Sequence, residues 1–157
     1  MLKYVNYEVV FAEIPDEISL AINISNCPCK CPGCHSPYLA EDIGERLRYD
    51  NLISLIHKNK GITCVAFMGG DADPLSVNVY ASIIKEQFPN LKVAWYSGRQ
   101  ELSKEIDLQN FDAIKLGPYK EEFGPLNSKT TNQRFYKVNG KELVDITSRF
   151  YDRNLET

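Results

Sequence analysis

Apolar residues in this chain come in short runs, and the runs alternate between two textures. Residues 18–24 (ISLAINI) are apolar with an alternating texture and predict a strand. Residues 62–68 (ITCVAFM) form a continuous apolar run, the pattern of a buried parallel strand, and Gly69-Gly70 ends it. Residues 91–96 (LKVAWY) and 111–116 (FDAIKL) predict two more strands, ended by Ser97-Gly98 and Gly117-Pro118. Between these runs the period lengthens. Leu52, Leu55 and Ile56 share a helical face within Tyr49–Lys58. Residues 76–88 (SVNVYASIIKEQF) predict an amphipathic helix closed by Pro89, and residues 102–106 a short helix. Residues 123–131 predict a loop. Residues 134–138 and 143–146 predict a hairpin around Asn139-Gly140.

Strands alternating with helices imply an α/β fold with parallel pairing through right-handed crossovers. In such sheets, sites gather beyond the carboxyl ends of the strands. Every predicted strand here ends in a loop with chemistry or glycine in it. The first runs into a cysteine loop, the second into Gly69-Gly70-Asp71, the third into Ser97-Gly98-Arg99, and the fourth into the stretch from Lys115 to Tyr119.

A chain of 157 residues suits one domain with a sizeable core. Its net charge of −3, with no basic stripe, argues against a nucleic-acid surface. The apolar runs are too short to span a membrane. There are no internal repeats. Unpaired cysteines and the absence of an export signal point to a reducing cytoplasm.

Four of the five cysteines fall within the run Cys27-Pro28-Cys29-Lys30-Cys31-Pro32-Gly33-Cys34. Pro28, Pro32, Gly33 and Pro37 exclude regular structure there. Cys27, Cys31 and Cys34 fit the spacing CxxxCxxC. Three thiolates on a four-iron cube leave one iron open to a small molecule, whereas four thiolates close it. Zinc held by Cys27, Cys29, Cys31 and Cys34 is an alternative, although it normally draws on a second ligand arm. Disulfides are another, set against the odd cysteine count. Cys64, alone among Ile62, Val65 and Phe67, predicts a buried structural thiol.

The ordered pair of CxxxCxxC after the first strand and Gly69-Gly70-Asp71 after the second resembles the radical S-adenosylmethionine superfamily. Cys31-Pro32-Gly33-Cys34 followed by His35, and the late segment from Asn127 to Arg134 (NSKTTNQR), narrow the resemblance to the activating proteins of anaerobic ribonucleotide reductase. It covers roughly residues 15–150. Three features depart from the superfamily pattern. Just before the last cysteine, where many members carry an aromatic residue, this chain has Gly33, as the activating subgroup commonly does. Cys29 is an extra thiol inside the motif. The second motif runs Gly69-Gly70-Asp71-Ala72-Asp73-Pro74, two residues longer than the usual form, so that Asp71 or Asp73 carries the acidic role, with Asp71 favoured by adjacency.

The resemblance implies a small, partial (open) radical-SAM β/α barrel with a largely parallel sheet. It implies a [4Fe–4S] cluster on Cys27, Cys31 and Cys34, and S-adenosylmethionine at Gly69, Gly70 and Asp71. Ser97 and Arg99 would meet the cofactor's carboxylate or ribose, and His35 its adenine side. A capping serine and a solvated arginine are the plain alternatives. Lys115, Tyr119 and His57 are expected at the surface. Asn132, Gln133 and Arg134 suit a peptide backbone or the cofactor, or simple turn chemistry. The implied activity is reductive cleavage of S-adenosylmethionine to a 5′-deoxyadenosyl radical, which installs a glycyl radical on the large subunit of the reductase. An electron donor such as flavodoxin would serve it. Competing assignments are another glycyl-radical activase, a small-molecule radical enzyme such as a deazaguanine synthase, and a non-catalytic iron–sulfur or zinc protein.

Overall fold

The computed structural model describes residues 1–29 and 37–151. Its framework is one eight-stranded mixed sheet with two α-helices. In chain order the elements are β1 (Lys3–Val10), β2 (Ser19–Ile24), β3 (Glu45–Arg46), α1 (Tyr49–Lys58), β4 (Cys64–Met68), α2 (Pro74–Gln87), β5 (Lys92–Tyr96), β6 (Ala113–Leu116), β7 (Arg134–Asn139) and β8 (Glu142–Asp145), with three short 3-10 turns. The sheet order is β3-β1-β2-β4-β5-β6-β7-β8.

The four strands expected from the apolar runs are the parallel centre: β2 pairs with β4, β4 with β5 and β5 with β6. The flanks are antiparallel, β1 and β3 on one side and the β7–β8 hairpin on the other. The sheet is therefore mixed rather than largely parallel. Residues 1–10 add the strand that the apolar runs did not mark, because β1 is mostly exposed and lacks a clean alternation.

Side chains on the central strands divide by parity. Leu20, Ile22, Val65, Phe67, Val93, Trp95 and Ile114 face one way and pack with Leu52, Leu55 and Ile56 of α1 and Val77, Ala81 and Ile84 of α2. Both helices thus cover the same face. On the other face a row of alanines crosses the sheet in register, Ala21, Ala66, Ala94 and Ala113. Their small side chains leave room that Ile14 fills, buried against Cys64, Ala66, Ala94 and Phe135. The segment carrying Ile14 is held there by the Tyr96 hydroxyl, which donates to the Glu13 carbonyl, and by Arg149, whose Nη2 lies 2.7 Å from Asp16 Oδ2. One layer nearer the carboxyl ends, Asn23, Met68, Tyr96, Lys115 and Phe135 form the next registered row.

Helix α2 begins two residues earlier than its apolar pattern suggests. The Asp73 side chain accepts from the Ser76 amide at 3.2 Å, and Pro74 occupies the first turn, where its missing N–H costs nothing. Residues 102–106 form no helix. They close a single turn, the Ile106 amide donating to the Ser103 carbonyl at 3.2 Å, and a 3-10 turn capped by Asp107 follows at Leu108–Asn110. Five residues are too few to repay helix nucleation. Among the described residues no helix is long and apolar enough to cross a membrane.

Candidate functional site

The loops after β2, β4, β5 and β6 converge on a cleft of about 1330 Å³ that extends over the helix-free face of the sheet. Cys27, Cys29, Gly69, Asp71, Gly98, Lys115, Tyr119 and Gln133 all contribute to its wall. Apolar side chains, including Phe11, Met68, Leu126 and Phe150, supply much of the rest.

The cysteine loop is pinched at its base. Asn26, in a left-handed conformation at φ 59°, donates its amide to the Glu41 carbonyl at 2.9 Å, and the Cys27 amide donates to the Leu39 carbonyl at 2.8 Å. Asparagine tolerates that backbone geometry better than most residues. Entry and exit are thus tied together, with the half-buried Cys27 at the mouth. Cys31, Cys34 and His35 lie outside the described residues.

The Gly69-Gly70 turn is built for backbone approach. Both residues have positive φ, 112° and 102°. A Cβ on Gly70 would sit 2.6 Å from Val77 Cγ2, and one on Gly69 would sit 3.1 Å from the Ile24 carbonyl oxygen. The Gly69 carbonyl accepts from the Trp95 indole N–H at 2.7 Å, and the Gly70 carbonyl from the Asp73 amide at 3.0 Å. Gly69 lines the cleft, whereas Gly70 is buried behind it and is not part of its wall.

Asp71 and Asp73 have separate surroundings. Asp71 is 4% exposed and lies on the cleft wall. Its Oδ1 accepts from the Ser97 hydroxyl at 2.5 Å, and its Oδ2 from the Gly98 amide at 2.8 Å. Asp73 is turned toward Ser76 and the amino-terminal ammonium of Met1. Burial pushes its carboxyl upward, but the ammonium and the Ser76 donors outweigh burial and hold it below its usual value.

Ser97 is buried and also accepts from the Arg99 amide at 3.2 Å. Its hydroxyl therefore organises protein groups. The Arg99 side chain is exposed and does not line the cleft; its carbonyl accepts from the Gly117 amide at 2.7 Å. Of the late Asn132-Gln133-Arg134 stretch, only Gln133 reaches the cleft wall, buried, with its amide nitrogen 3.4 Å from the Gly117 carbonyl. Asn132 donates to the Pro118 carbonyl, and Arg134 lies beside Asp145 at the surface.

Lys115 is the residue that sequence reasoning misplaced. It is 7% exposed, with Nζ 2.8 Å from the Gly117 carbonyl, 3.1 Å from the Ser97 carbonyl, and 5.7 Å from the centre of the Tyr96 ring. A lysine inside the apolar strand FDAIKL was the available signal, because lysines are almost never fully buried without partners. Tyr119, also expected at the surface, lines the cleft. Cys29, the extra thiol inside the motif, lines it as well. Cys64 is fully buried in β4, and burial pushes its thiol up to about 12.

Compared with protein-family models, curated proteins and solved structures, the chain matches none of them.

Proposed function

We propose that this chain is a radical S-adenosylmethionine enzyme that installs a glycyl radical on an anaerobic ribonucleotide reductase. The observation that carries the reading is that Cys27, Gly69 and Asp71 share the wall of one cleft at the carboxyl ends of parallel strands. The finer fold assignment, a small open radical-SAM barrel, is part of the same proposal. It is supported by four parallel strands in sequential order with both helices on one face.

The donor set fits the groups this chemistry needs. Cys27 lines the cleft, and it would hold a [4Fe–4S] cluster together with Cys31 and Cys34. The bare backbone of Gly69, where a Cβ would crowd the Ile24 carbonyl, would seat the methionine part of S-adenosylmethionine, with Gly70 packed behind it against Val77. When bound, cluster and S-adenosylmethionine supply one electron and a 5′-deoxyadenosyl radical that takes the α-hydrogen of the partner's glycine. The chain's own part is orientation and the exclusion of water. Lys115 brings positive charge to the floor, where a carboxylate is favoured. Phe11, Leu126 and Phe150 keep the far end apolar.

The cleft's size supports a polypeptide partner. Pockets for one drug-sized ligand span roughly 300–1,000 Å³. At about 1330 Å³ this one has room for a nucleoside cofactor and a segment of a second molecule. An electron donor such as flavodoxin and a cytoplasmic setting belong to the proposal. Anaerobic reconstitution with iron and sulfide tests it. The protein should turn brown, and its electron paramagnetic resonance signal in the reduced state should change when S-adenosylmethionine is added. A cluster indifferent to S-adenosylmethionine would favour a closed four-thiolate electron carrier, and a colourless zinc protein would end both readings.

A further inference from the structure

Of the carboxylates lining the cleft, Glu13, Asp16 and Asp71, only Asp71 is buried. A buried carboxylate is costly unless its oxygens are satisfied by donors. Among the described residues its donors come from two other loops. Ser97 Oγ and the Gly98 amide belong to the loop after β5. Cys29 Sγ, 3.7 Å from Oδ2, belongs to the cysteine loop after β2. The seat for Cys29 is specific, since a Cβ on Gly98 would come within 2.8 Å of that sulfur. The network continues through the Ser97 carbonyl to Lys115 at the end of β6.

We propose that Asp71 is a positioning residue, a clasp that fixes the cysteine loop against the loop after β5 and so sets the spacing between Cys27 and Gly69-Gly70. Cys29 is its thiol partner and not a fourth metal ligand. The clasp is a property of the chain itself. Its effect on S-adenosylmethionine rests on the function proposed above.

Two measurements separate the clasp from that function. The first uses metal-free protein and reads hydrogen exchange at the Gly98 amide. Exchange should be slow in the wild type. A hydrogen bond of ordinary strength is worth about a tenfold change in such an equilibrium, so Asp71→Ala should speed it about tenfold. Cys29→Ala, which uncovers Gly98, should speed it about threefold, by the weaker thiol contact, and Cys29→Ser should restore it. The second uses reconstituted protein. Cys29→Ala should keep its full iron content and bind S-adenosylmethionine about threefold more weakly, with Cys29→Ser close to the wild type. The half-buried loop position makes the Cys29 pair informative even if Asp71→Ala does not fold. Unchanged Gly98 exchange in Cys29→Ala, or loss of iron from it, overturns the clasp. A wild type that forms no cluster contradicts the proposed function, and Gly98 exchange still decides the clasp.

Discussion

Asp71 and Asp73 stand two residues apart and meet different neighbours, one the cleft and the other a helix end. Removing Asp71 should weaken S-adenosylmethionine binding by loosening the clasp between Cys27 and Gly69, by roughly 1.5–3 kcal/mol, the scale of the charge-assisted bonds it makes to Ser97 and Gly98. Asp73→Ala should leave binding intact, and calorimetric titration of both variants compares them. The reverse order would assign the acidic role to Asp73. Among the cysteines, Cys27→Ala, Cys31→Ala and Cys34→Ala should each abolish the reconstituted cluster, while Cys29→Ala and Cys64→Ala retain it, as read by iron and sulfide analysis. Cys64 should also resist iodoacetamide at pH 8 until the protein unfolds, because it is inaccessible and burial holds its thiol protonated up to about 12. At this scale the sequence was informative where spacing was local, as in Gly69-Gly70-Asp71. It misplaced Lys115 and Tyr119, expected at the surface, and left Cys29 open, because their burial or placement depends on strands and loops far apart in the chain.

Helix α2 shows how local rules and tertiary packing divide the task. Its start is set by Asp73-Pro74, a short-range signal that apolar periodicity alone passes over. Loss of the cap in Asp73→Ala should cost about 1 kcal/mol, or roughly 2–4 °C in Tm for a chain of this size. The pH dependence has a definite sign. The folded carboxyl lies below its usual 3.8, so its contribution is complete above that value and is lost as pH falls through the folded pKa. The difference in Tm between wild type and Asp73→Ala should therefore be constant from pH 5 to 7 and shrink below about pH 4. The central strands were legible because their buried runs are continuous. The row of alanines was present in those runs, but its meaning depends on the register that aligns Ala21, Ala66, Ala94 and Ala113. β1 escaped because an exposed antiparallel strand carries little apolar signature.

Across the whole molecule, both helices lie on one face of the parallel centre and the cleft opens on the other, with the carboxyl-end loops at its rim. The α/β class and the convergence of those loops followed from the order of strands and helices. The β7–β8 hairpin was also legible, in Asn139-Gly140, but the β1–β3 flank and the inward fold of the segment bearing Ile14 were not, since they arise from contacts between residues distant in the chain. The proposed function is tested most directly by mixing the anaerobically reconstituted protein with S-adenosylmethionine, a strong reductant and its cognate anaerobic ribonucleotide reductase. Electron paramagnetic resonance should then show a glycyl-radical doublet on the reductase that requires every component. Cleavage of S-adenosylmethionine with no radical on the reductase, together with turnover of a small metabolite, would contradict the account.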